Sequence, residues 1–69
     1  MTAETVLEQA IRHVGDGKRT IAGQRALIAR QKERGHDTEA ADSLLVQFER
    51  ALVIFEDDLR AIQDAIKPN

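Results

Sequence analysis

The sequence predicts an all-α protein: an antiparallel two-helix hairpin, about 3–34 and 38–66, that dimerises into a four-helix bundle. Three observations carry this expectation. In the first half Leu7, Val14, Ile21 and Ile28 recur every seven residues. In the second half Leu45, Leu52, Leu59 and Ile66 do the same, interleaved with Ala41, Phe48, Phe55 and Ile62. Between the halves lies Gly35-His36-Asp37-Thr38, a helix stop followed by a helix start. A seven-residue repeat keeps one face of a slightly under-wound helix turned toward a partner helix, so it reports packing and not chemistry.

The first helix can begin at Thr2 or Thr5, and Thr5 with Glu8 fits a capping box, in which each side chain satisfies a main-chain group of the other residue. Gly15 and Gly17 weaken it, since glycine costs about 1 kcal/mol against alanine inside a helix. Val14 and Ile21 nevertheless keep one phase across the glycines, which favours a continuous helix over a three-helix arrangement. Gly17 then falls on the seam beside Ala10, where small residues permit close approach. At the far end Lys32 and Arg34 complement the helix dipole and Gly35 can take the left-handed cap conformation.

Asp37 or Thr38 is expected to cap the second helix, Glu39 and Asp42 put negative charge in its first turns, and Pro68 follows its end. At 1.5 Å per residue both helices should be roughly 45 Å long. A link of three or four residues then requires them to lie antiparallel.

The 69 residues are read as one domain, 1–69. A chain this short buries only roughly 60% of its unfolded surface, and the usual reinforcements are missing. No cysteine is present, so disulfides and thiolate metal sites are excluded, and His13 and His36 stand far apart without a ligand cluster. Stability must come from helix packing or self-association. The composition, 42% hydrophobic and 32% charged, is that of a soluble helical protein rather than a disordered one. The longest apolar run is Ala51 to Phe55, and a membrane span needs about 20 residues. Glu4 and Glu8 stand where a signal peptide would be basic, so a cytoplasmic setting without membrane contact is expected.

The apolar stripes are wider than one partner helix needs. Val6, Ile11, Ala22 and Ala29 flank the first seam, and Leu44 and Ala51 the second. Val46 and Val53 project roughly 120° to 150° from the main seam, and Ile54 nearly opposite it. These three form a possible second interface, with scattered surface residues as the plain alternative. Pairing of two hairpins would cover the wider stripes. Charge is uneven: residues 3–34 carry seven basic and four acidic side chains, a net of +3, and residues 37–67 carry three basic and eight acidic, a net of −5. Such asymmetry selects orientation and partner more than it stabilises.

No residue pattern calls for catalysis, a cofactor or a metal. Gly15-Asp16-Gly17-Lys18-Arg19-Thr20 is only superficially like a phosphate loop, because Arg19 follows the lysine and no strand precedes it. His13 at the seam edge is read as a packing residue, with a phosphorelay role as a weak alternative. Glu56, Asp57 and Asp58 point about 100° apart and cannot converge, so they form a solvated face, with Glu56 and Arg60 as a helix pair. Lys18, Arg19, Arg25, Arg30, Lys32 and Arg34 are the one stretch that could attract nucleic acid, but they are spread around the helix without Tyr or Trp for stacking.

From His13 to Leu59, with Gln24, Ile28, Ala29-Arg30-Gln31, Gly35-His36-Asp37-Thr38, Ala41, Leu44-Leu45 and Phe48-Glu49, the chain resembles short bacterial proteins built as a helix, a Gly-His-Asp-Thr turn and a second helix. The resemblance implies a hairpin and no site. The expectation is therefore a non-enzymatic interaction module: a homodimer that binds another protein through a helical face, with a small nucleic-acid-associated protein as the alternative.

Overall fold

The structure, a computed structural model, describes residues 4–67 and contains two helices, α1 (Val6–Glu33) and α2 (Glu39–Ile66), each of 28 residues. Ala3 and Pro68, expected at the outer ends of the two elements, lie outside the described residues. The helices pack side by side as a hairpin with no strand among the described residues.

Thr5 sets the start of α1. Its hydroxyl accepts the Glu8 N–H at 3.0 Å and the Glu8 carboxylate accepts the Thr5 N–H at 3.3 Å, which completes the capping box. From there α1 runs unbroken through Gly15 and Gly17. Gly17 faces α2 closely enough that a Cβ would lie 3.2 Å from Leu52 Cδ1 and 3.7 Å from Phe55 Cδ2. Side chains of α2, rather than its backbone, occupy the room that the glycine leaves.

The helix ends in a Schellman motif. Gly35, at φ +73°, donates to the Lys32 carbonyl at 3.0 Å, and His36 donates to the Gln31 carbonyl at 2.8 Å. These bonds satisfy carbonyls left open by the last turn, and glycine adopts the left-handed conformation without a Cβ penalty. Asp37 provides the next cap: its Oδ1 accepts the Glu39 N–H at 3.0 Å. Thr38 precedes the helix but directs its hydroxyl to Asp42 Oδ2 at 3.0 Å instead of to the main chain.

Burial is unequal between the two elements. Ala10, Val14, Ile21, Gln24 and Ile28 of α1 are buried, while Leu7 is half-buried. No residue of α2 is buried; Leu45, Phe48, Leu52, Phe55, Leu59 and Ile62 are half-buried along its seam. Ile66, assigned to the core from its heptad position, is 60% exposed. It lies at the open end of the hairpin, where it shares a shallow surface with Leu7 of α1 and with Arg60, Gln63 and Asp64 of α2 that is too open to bury it. The Cα extents of 55 × 28 × 13 Å describe a single layer of helices with both broad faces open. Among the described residues no helix is long and apolar enough to cross a membrane.

Candidate interaction surface

Two grooves run along the hairpin, one on each broad face. The first begins between Val6, Gln9, Ala10 and His13 of α1 and Phe55, Asp58, Ala61 and Ile62 of α2. It continues through Asp16, Gly17 and Thr20 against Phe48 and Ala51, sharing His13 and Phe55 with the first stretch. Helical periodicity explains the set: positions 6, 13 and 20 form one heptad column beside the α1 seam, and positions 48, 55 and 62 form one edge of the α2 seam. His13 and Phe55 meet across the helices with ring centroids 5.3 Å apart at 45°, an arrangement favoured by aromatic quadrupoles. His13 is thus a half-buried packing residue of the groove wall.

The opposite groove is lined by Lys18, Ile21, Ala22 and Arg25 of α1 and Glu49, Leu52 and Val53 of α2. Three of these seven residues are charged. Arg25 reaches Glu49 at 4.0 Å, the only ion pair found between the helices among the described residues. Val46 is exposed, Val53 is 58% exposed on this groove, and Ile54 is 59% exposed on the outer surface of α2.

The remaining candidates do not come together as a chemical site. Gly15 to Thr20 are helical, so their N–H groups are committed to the helix and cannot cradle a phosphate. Arg60 pairs with Asp57 at 3.4 Å and not with Glu56, because the i,i+3 carboxylate lies nearer its guanidinium; Asp58 turns instead to the first groove. Among the described residues no group of three or more His, Asp or Glu side chains converges as metal ligands. Of the basic stretch, Arg19 is paired with Asp16 and Arg25 with Glu49.

Three polar features were not evident in the sequence. Arg12 grips Glu4 in a two-point ion pair, Nε to Oε2 at 3.0 Å and a terminal nitrogen to Oε1 at 2.8 Å. The hydrogen bonds from Arg12 hold the Glu4 carboxyl below its ordinary value, and Glu4 raises the Arg12 guanidinium in turn. Gln24 donates to the Ala41 carbonyl at 2.9 Å. Gln31 Oε1 is buried without a hydrogen-bond partner. The signal for both glutamines was their place in the α1 column Ala10, Gly17, Gln24, Gln31, where a polar residue on a seam needs a partner.

No protein-family model, curated protein or solved structure matches this chain.

Proposed function

We propose that this protein is a non-catalytic assembly module: a helical hairpin that self-associates as a four-helix bundle and presents its outer faces to another protein. The observation that carries the reading is that α2 bears a two-column apolar seam yet contains no buried residue, while Val6, Ile11, Leu44, Val46, Val53 and Ile54 stand exposed on both helices. Domains are ordinarily two packed layers around a core, and this hairpin is one layer. A second layer would bury the half-covered seam side chains, each fully buried aliphatic or aromatic side chain contributing about 1.5–3 kcal/mol. The affinity would arise from apolar helix faces meeting, and the charge asymmetry would select orientation. Val46, Val53 and Ile54 supply a remaining surface for a further protein.

Light scattering over a range of concentrations tests the reading. A mass of twice 7.7 kDa, with strong helical circular dichroism, is the expected result. A helical monomer at every concentration would refute self-association.

A further inference from the structure

We propose that the His13 and Phe55 groove is the face on which a second copy of the chain sits, with α1 of one copy lying over α2 of the other and both turns at the same end of the bundle. This deepens the self-association reading and rests on it.

The area argues for a second copy. The chain exposes 5465 Å², about 1,100 Å² more than the ~4,300 Å² expected for a compact monomer of 7.7 kDa. A stable interface removes about 800 Å² per partner, so a single additional layer absorbs the excess.

The choice of face follows from the side chains that line it. Asp16 and Asp58 are the only acidic residues lining the His13 groove, which has no lysine or arginine, whereas Lys18, Arg25 and Glu49 interrupt the opposite one. Asp16 is already paired with Arg19, and Arg25 with Glu49, so among the described residues each face keeps one charge without an ion pair, Asp58 on the first and Lys18 on the second. At the middle of the His13 groove Thr20 and Ala51 are small, with Phe48 and Phe55 on the α2 wall, which lets a second layer approach closely.

Orientation follows from the helices themselves. α1 holds six basic and three acidic residues, a net of +3, and α2 two basic and seven acidic, a net of −5. Two stacked hairpins can be related by a twofold axis across the helices, which sets like helix on like helix with turns at opposite ends. The alternative axis runs along the helices, sets α1 on the partner's α2, and brings the turns together. Opposite net charges favour the second arrangement, and like charges oppose the first.

The absence of cysteine makes the test direct: a nitroxide on His36→Cys, in the exposed turn, reports one distance per dimer. Turns at one end place the labels within about 20 Å, whereas opposite ends separate them by roughly 40 Å, one helix length. In parallel, Thr20→Arg, exposed in the His13 groove, is compared with Ala22→Arg, exposed in the opposite groove, both checked for helicity. The proposal expects the short distance, a dimer dissociation constant raised roughly 100-fold by Thr20→Arg, and little change from Ala22→Arg. A dimer with the long distance overturns the orientation. Dissociation by Ala22→Arg and not by Thr20→Arg overturns the face. A wild-type monomer removes the self-association on which both depend.

Discussion

Gln24 of α1 donates its side-chain amide to the main-chain carbonyl of Ala41 in α2, 2.9 Å away across the hairpin. It is the one buried polar residue among the described positions, and the bond ties the register of one helix to the backbone of the other. Gln31, one heptad further along the same column, has its buried Oε1 without a partner. Leucine at the two positions should therefore act differently. Gln31→Leu removes an orphan acceptor and is expected to raise stability by about 1 kcal/mol, while Gln24→Leu exchanges a hydrogen bond for apolar burial and should be within about 1 kcal/mol of wild type. Urea unfolding of both variants checks the order; a larger gain from Gln24→Leu would contradict it.

Gly23 and Gly17 are both inside α1, but a Cβ at Gly23 would meet nothing within 4 Å while one at Gly17 would press on Leu52 at 3.2 Å. Gly23→Ala should stabilise the protein by about 1 kcal/mol through helix propensity. Gly17→Ala is expected to give less than that, since Leu52 must give way. Equal gains in denaturant midpoint would mean the contact is loose.

At the turn, Gly35→Ala places a Cβ on a left-handed residue at φ +73° and should reduce stability by about 1–2 kcal/mol. Asp37→Ala removes the acceptor of the Glu39 N–H and should cost about 1 kcal/mol. Thr38→Ala should cost less than Asp37→Ala, because its hydroxyl bonds Asp42 and no main-chain group. Chemical denaturation ranks the three.

Glu4 has a depressed carboxyl pKa because Arg12 hydrogen-bonds its charged form. The proton binds the folded state less readily than the unfolded one. The contribution is thus fully present above the ordinary carboxylate range and disappears as pH falls through the folded value. Carbon-detected titration should show Glu4 with a lower midpoint in wild type than in Arg12→Ala. Coincident midpoints would rule out the clamp in solution.

Leu52 and Ile54 are two positions apart on α2, yet Leu52 is half-buried against Gly17 while Ile54 is 59% exposed. Leu52→Asp buries an unpaired charge and should abolish cooperative melting. Ile54→Asp should leave helicity and midpoint almost unchanged, and circular dichroism distinguishes the two.

The heptad columns made the hairpin legible, because periodicity of seven specifies which positions of a helix face its neighbour. Thr5, Glu8 and Gly35 marked ends for the same local reason: caps depend on residues adjacent in sequence. What periodicity leaves open is how far each helix rotates and where the pair stops. Ile66 keeps its heptad phase, yet Leu7 in the first turn of α1 leaves it largely uncovered. The Glu4 and Arg12 clamp was hidden because eight positions separate the partners and Glu4 precedes the helix. Likewise, that the His13 groove carries fewer charges than the Arg25 groove emerges only once both helices are placed together.

The left-handed Gly35 also has a topological consequence. The five residues Arg34 to Thr38 are all that separate two helices of similar length. Were they to take ordinary helical dihedrals, α1 and α2 would fuse into one continuous rod of roughly 90 Å, its seam turned outward along the whole length. A rod of that kind finds a mate for its seam only on another chain, whereas the folded hairpin sets the two seams against each other within one molecule. The reversal at Gly35 thus decides that the first contact each seam makes is intramolecular.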